Sequence, residues 1–398
     1  MVLQAGYAIR AITPPVGSRM AAFPRRAGAV LDARLAEGVL DPLHVRALAI
    51  GDGQQRIVII VGDVIMWRDD QVRRIRSDIA ARTGIDPAHV QLIATHTHSS
   101  GENSYLFGGC PHDAWINTLC DRAAQAGIAA VNDLQPATLH TSQIDALINH
   151  NRLVPVPGSP AQMVLEHKPG LTDGPTDPTF SLLRFKRADG PDICWLNWTG
   201  HPVTLGPGNR AFSADFPGRL IHLFQNALPN TVTIFTNGAA GDIHPHRCMR
   251  STADARDDIA DALTAHALDA HALAWPLVVD ALRVAPATVR CASRLDPSHI
   301  FTADLAVLRL GPVVCAMVPG ELFVEYQLEL RRRLLPRPLL LSAYANDWIG
   351  YVPSQRAWGH GGYGVDLYAL DPPRLGRTIA TPHTGRLMMD AVLRMIDA

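Results

Sequence analysis

The stretch Ile57-Val-Ile-Ile-Val61 is an unbroken apolar run of strand length. Such a run reads as a strand buried on both faces. Asp63 follows at its end, and Val72, Ile75 and Ile79 then recur at helical spacing over Asp69–Thr83, with Gly84 as the stop. A second buried strand is predicted over Val90–Ala94, running straight into Thr95-His-Thr-His98. Strand, helix and strand in succession set the class as α/β. Outward from this unit, residues 111–132 read as a long helix, and strands are predicted over 180–185, 193–198, 231–235 and 313–318. Residues 153–178 are rich in Pro and Gly without periodicity, so a long surface loop is expected there. A helix is predicted over Asp254–Leu273, with Ser251 and Asp254 spaced as a capping box. Leu322, Tyr326, Leu330 and Leu334 form an i, i+4 stripe on another. No linker divides the chain, so one domain over residues 1–398 is predicted.

Composition narrows the function. The 398 residues carry 36 Lys+Arg against 37 Asp+Glu, a formal net charge of −1. That balance argues against a nucleic-acid protein and against polybasic membrane docking. No apolar run approaches the ~18–20 residues of a membrane-spanning helix. The opening MVLQAGYAIRAITPPVG lacks the basic stretch and apolar core of a secretory signal. Six Cys at 110, 120, 194, 248, 291 and 315 form no CxxC pair, which points to reduced thiols and a cytoplasmic location. Seventeen His are many for this length, and several cluster.

Those clusters sit at strand exits, where α/β sites gather. His96 and His98 share one face if the strand continues through them, and imidazole is the commonest zinc ligand. His201, in Asn197-Trp-Thr-Gly-His-Pro202, follows another apolar strand. Asp242, His244 and His246 alternate after the small-residue turn Asn237-Gly-Ala-Ala-Gly241. Glu321 lies where a strand turns into a helix, as a cap or as a carboxylate ligand. Tyr351 and Tyr363 lie on a Gly-rich segment that could line a pocket. His44 reads as a core histidine, Arg331-Arg-Arg333 as a solvated helix face, and Asp63 as either the orienter of a ligand His or a helix cap.

Taken together, these motifs resemble the neutral, non-lysosomal ceramidases and their bacterial relatives. The resemblance rests on Ile12-Thr-Pro-Pro-Val-Gly17, Gly38-Val-Leu-Asp-Pro-Leu-His-Val-Arg-Ala-Leu48, Thr95-His-Thr-His-Ser99, Asn151-Arg152, Asn197-Trp-x-x-His201-Pro, Pro319-Gly-Glu321 and Gly350-Tyr351-Val with Tyr363 beyond, all in family order. It implies two mixed β-sheets with flanking helices. It also implies a zinc ion held by His96, His201, Glu321 and Tyr351, with His98, Arg152 and Tyr363 lining the site. Two departures stand out. The family's Gly-Asp-x-Ser motif, associated with its nucleophile, has His244 in place of the Ser, and Ser99 is followed by Ser100-Gly-Glu instead of Gly-Pro-Gly. The family's C-terminal immunoglobulin-like domain is also not expected.

The function expected is therefore a zinc-dependent hydrolase of the amidase or esterase type. It would cleave a C–N or C–O bond in a small soluble substrate other than ceramide, using zinc-activated water, with His98 or His244 as general base. His98, His244, Arg152 and Tyr363 are the expected catalytic and substrate-facing residues. Two alternatives stay open: a metal-dependent lyase or two-metal hydrolase acting on a sugar or hydroxy-acid derivative, and a metal-binding relative without catalysis. The HxHxDH pattern of metallo-β-lactamase-like enzymes is not met, because His98 is followed by Ser-Ser-Gly-Glu. A small-molecule partner is expected, with no nucleic acid and no stable membrane insertion; a homo-oligomer is compatible with all of this.

Overall fold

The apolar run 57–61 sends its side chains alternately into two interiors. Ile57, Ile59 and Val61 enter one apolar cluster, and Val58 and Ile60 enter another. A strand needs no polar face when both sides are covered. The computed structural model describes residues 2–27, 30–32, 34–104, 113–366 and 380–397. In chain order the principal elements are β1 (Gln4–Ala11), β2 (His44–Gly51), β3 (Arg56–Gly62), α1 (Asp69–Thr83), β4 (Val90–Ala94), α2 (Asp113–Asn132), β5 (Gln135–Asp145), β6 (Thr179–Arg187) and β7 (Asp192–Trp198). There follow α3 (Asp215–Ala227), β8 (Thr231–Asn237), α4 (Asp254–Leu273), β9 (Leu282–Ala292), β10 (Ile300–Leu310), β11 (Val313–Met317), α5 (Val324–Leu334), β12 (Leu339–Ser342) and α6 (Thr384–Asp397).

The first sheet runs β8-β7-β6-β5-β1-β2-β3-β4, with Trp275–Leu277 also pairing β5. Its β3/β4 and β7/β8 pairs are parallel, and its other neighbours are antiparallel. The second sheet runs β9-β10-β11-β12, parallel only between β11 and β12. The architecture is thus α/β with two mixed sheets. Their inner faces meet through Ile57, Ile59, Leu183 and Phe185 from one sheet and Leu308, Leu310, Met317 and Leu340 from the other. Outside the first sheet, Ile75 and Ile79 of α1 and Leu119 and Ala123 of α2 cover Val58, Ile60 and Leu92. Phe216, Leu220 and Phe224 of α3, with Leu263 of α4, cover Phe180, Leu182 and Trp198. Leu330 of α5 and Met388, Met389 and Val392 of α6 close the outer face of the second sheet over Leu305, Val307 and Val314. Each large side chain so buried contributes about 1.5–3 kcal/mol of transfer free energy.

The strand and helix expectations hold at their cores, and Gly84 does end α1, in the left-handed conformation at φ 68. Four local expectations change. Residues 153–178 are not structureless: Leu153–Val156 and Ser159–Met163 pair as a hairpin about Gly158. The capping box before α4 does not form, because the N-cap is Ala253 and the Asp254 carboxylate is taken by Arg247 and Thr252. Arg331 is not a solvated charge; its Nε donates to the buried Asp177 carboxylate at 3.0 Å. Asp63 neither caps α1 nor reaches an imidazole. It accepts from the His44 amide and from Arg46. Residues 111 and 112 of the predicted second helix lie outside the described residues, as does Cys110. The other five cysteines form no disulfide. Among the described residues no helix is long and apolar enough to cross a membrane.

Candidate metal centre

Strand β4 stops at Ala94, and the chain then turns sharply. His96 adopts φ 68, so His96 and His98 do not lie on one extended face as predicted. A left-handed non-glycine residue costs about 1–3 kcal/mol and is held only by its surroundings. Here the His96 amide donates to Val64 O at 3.1 Å, and its Nδ1 lies 2.5 Å from Ile65 O. A carbonyl only accepts, so Nδ1 carries a hydrogen, and Nε2 is the nitrogen left for the cluster. His201, just beyond β7, repeats the arrangement: its Nδ1 donates to Ala240 O at 3.1 Å. Backbone carbonyls that orient an imidazole in this way are the usual outer support of a metal-binding histidine.

Glu321 arrives from the second sheet. After β11 the chain turns through Gly320 at φ 81, and Glu321–Leu322 pairs in parallel with Tyr351–Val352. The Trp348 indole donates to Glu321 Oε1 at 3.0 Å. Oε2 lies 3.4 Å from His96 Nε2 and 4.0 Å from His201 Nε2. His98 completes the cluster, with Nε2 2.9 Å from His201 Nε2. The ligand atoms of His96, His98 and His201 all lie within 4.8 Å of one another. Two nitrogens on a tetrahedral zinc stand roughly 3.3 Å apart, so the spacing suits a metal. His96 Nε2, His98 Nδ1 and Glu321 Oε2 are buried without a hydrogen-bond partner. Lone pairs facing one another in a dry interior are unfavourable unless a cation or a proton stands between them. These donors therefore fit a divalent ion.

Burial first, and then the neighbouring positive groups, drive the His98 and His201 pKa values well below 6.5, so both imidazoles are neutral at pH 7. Burial pulls Glu321 upward, but His96, Arg152 and the Trp348 contact outweigh it and its carboxyl sits below the ordinary range. Gly241 packs against this carboxylate's backbone: a Cβ there would lie 2.4 Å from Glu321 O. Gly241→Ala is expected to displace Glu321, weaken metal binding by about tenfold or more and cost about 1–3 kcal/mol. Chelator competition and urea denaturation measure the two effects. Unchanged metal affinity would show that Glu321 is not held through this contact.

A second tier lies beside the imidazoles. Asn149–Asn151 pairs antiparallel with Ile243–Pro245 and sets His150 opposite His244. The next residue, Arg152, is 3% exposed. Its Nη1 donates to His244 Nε2 at 2.9 Å, and its Nη2 donates to Gly241 O at 2.5 Å and to the Tyr351 hydroxyl at 3.3 Å. The guanidinium lies over the Tyr363 ring at 4.9 Å and the Tyr351 ring at 5.7 Å. The two tyrosine hydroxyls are 3.5 Å apart.

Neutral ceramidase A of Dictyostelium discoideum is 22% identical over 215 residues, which are 49% of this chain and 29% of that relative. The chain thus aligns with less than a third of that relative's length. A solved ceramidase complexed with C2 superposes with a TM-score of 0.81 at 17% identity, covering 99% of this chain and 75% of the other. The neutral ceramidase of Pseudomonas aeruginosa gives 0.79 at 17% identity, covering 99% and 74%. The chain's fold is neutral-ceramidase-like. No family model matches it.

Within this neutral-ceramidase-like frame, the residues singled out in the sequence fall into two groups. His96, His98, His201 and Glu321 meet, and Arg152, Tyr351 and Tyr363 form the adjoining wall. His244 touches the wall but is not free to move protons. Its Nε2 lone pair receives Arg152, and its Nδ1 lies 3.4 Å from Cys248 Sγ, whose thiol donates to Leu165 O. In this structure His244, one of the two histidines expected as general base, supports Arg152. Asp242 and His246 turn away. Asp242 accepts from the Val324 amide and from Asn151, and His246 stacks on His167 at 4.1 Å. Among the described residues one group of three or more His, Cys, Asp or Glu could hold a metal, so these residues give no second centre. Sequence reading missed Trp348 and the carbonyls of Ile65 and Ala240. Trp348 lies just ahead of the Gly350-Tyr351-Val motif, but carbonyl partners leave no trace in residue type.

Proposed function

We propose that this neutral-ceramidase-like chain is a zinc-dependent hydrolase that cleaves an amide or ester bond in a small substrate. The observation that carries the reading is the shared arrangement of His96 and His201: each gives its Nδ1 hydrogen to a backbone carbonyl and turns its Nε2 toward the unpartnered Glu321 Oε2, at 3.4 and 4.0 Å. His96, His201 and Glu321 would hold the ion, with Tyr351 as the fourth ligand implied by family resemblance. When bound, zinc supplies Lewis acidity that polarises a carbonyl and acidifies water.

The chain's own residues do the rest. His98 lacks the backbone anchor of the other two imidazoles, since its Nδ1 has no partner, and it is only partly buried. A neutral imidazole beside the donors can take a proton from attacking water at its unpartnered Nδ1 and return it to the leaving group. Arg152 and Tyr363 bind and orient the substrate. His244, in place of the resembling family's Ser, supplies no nucleophilic hydroxyl, so attack falls to water.

The test is turnover of a panel of small amides and esters by zinc-loaded protein in ¹⁸O-water. Incorporation of one ¹⁸O into the acid product is expected. A product formed without gain of water would make the enzyme a lyase. Stoichiometric zinc with no turnover of any panel member would leave a metal-binding protein without this activity.

A further inference from the structure

Arg152 carries a charge that the protein does not neutralise at close range. It is 3% exposed, yet no carboxylate lies within ion-pair distance of it among the described residues. Its Nη1 is bound by a neutral imidazole and one Nη2 hydrogen by a peptide carbonyl. Its Nε is buried without any hydrogen-bond partner. Both nearby carboxylates are committed elsewhere. Glu321 faces His96, His201 and Trp348, and both oxygens of Asp242 are taken by the Val324 amide and Asn151. A buried cation without an anionic partner is costly, and a divalent ion beside it would add positive charge. On the Nε/Nη2 edge of the guanidinium, Nε has no partner and Nη2 has its second hydrogen on the Tyr351 hydroxyl at 3.3 Å, a long bond that a carboxylate oxygen would replace. That edge is the side-on face that binds a carboxylate through two parallel N–H···O bonds.

We infer that the substrate carries a carboxylate, and that Arg152 binds it side-on while the scissile amide or ester carbonyl faces the imidazole cluster. This rests on the hydrolase reading above. A carboxylate suits the edge better than a phosphate: two N–H groups satisfy its two oxygens and single charge, whereas a phosphate would bury further oxygens without donors. The predicted substrates are N-acyl amino acids and related acyl carboxylates. His244 is a positioning residue in this scheme. With Nε2 as acceptor it fixes Nη1 and turns the Nε/Nη2 edge toward the site.

The experiment measures binding of malonic, succinic and glutaric monohydroxamates and of their neutral methyl esters to zinc-loaded protein. The hydroxamate is a common zinc-binding group, and the three lengths span different distances to Arg152. At least one free acid is expected to bind tenfold or more tighter than its ester. Arg152→Gln should abolish that difference with zinc content unchanged, and Arg152→Lys should retain part of it. Equal binding of acids and esters by the wild type overturns the carboxylate site and leaves the zinc hydrolase standing. A preference that survives in Arg152→Gln also overturns it, because the metal alone would then attract the anion. Should the chain bind no zinc, the hydrolase reading fails on its own. Titration of metal-free wild type and Arg152→Gln with hexanoate then decides the carboxylate site. Thermal stabilisation present only in the wild type supports it, and equal responses overturn it.

Discussion

Replacing His201 by Ala is expected to strip the proposed zinc from the protein and take the proposed hydrolysis to background. Outer supports of metal ligands typically cost 10–100-fold in affinity when removed, and loss of a ligand should exceed that. His201 is fully buried, and its side chain points Nε2 at both His98 and Glu321, so no solvent group can replace it without a cavity forming. His98→Ala, made alongside, is expected to keep its zinc and lose about 10²–10⁴-fold in kcat, the usual contribution of a general base. Elemental analysis with steady-state kinetics separates the two. If His98→Ala also loses zinc, the three imidazoles form the ligand set and His98 is not the base. If His201→Ala keeps both zinc and rate, the assigned centre is wrong.

The largest stability effect is expected far from the catalytic wall. Arg46 and Asp63 form an ion pair at 2.8 Å between β2 and the end of β3, with side chains 6% and 0% exposed. Asp63 has one further donor, the His44 amide at 2.9 Å. Arg46→Met keeps much of the stem volume but leaves Asp63 charged and buried. Removing one partner of such a pair costs about 3–5 kcal/mol, whereas replacing both by apolar groups is often neutral. Urea denaturation should show a lowered midpoint at unchanged slope, with zinc content retained in the folded fraction. A loss below about 1 kcal/mol would mean that water reaches Asp63.

Asp63 also shows where reading residues in order reaches its limit. A carboxylate just past a buried strand looks the same whether it caps a helix, orients a histidine or pairs with an arginine on the neighbouring strand. Only the β2/β3 register, which aligns Arg46 with Val61 and Val45 with Gly62, selects the third. Arg331 is the same case: an Arg-Arg-Arg run on a helix looks solvated until Asp177 is seen buried beneath it.

The α/β class, the strand cores and the residues worth watching were legible in the chain alone, because periodicity and residue chemistry are local properties. Buried runs at 57–61 and 90–94, and histidines at strand exits, need no knowledge of what packs on them. What tertiary structure decided is pairing at a distance. The left-handed turn at His96, the carbonyls of Ile65 and Ala240, and the arrival of Glu321 from the second sheet make separate donors into a cluster. The lone pair of His244 is likewise assigned only by the arginine that meets it. A residue's type states which bonds it can make. Which it does make depends on partners up to hundreds of residues away, which the fold alone brings within 3 Å or so.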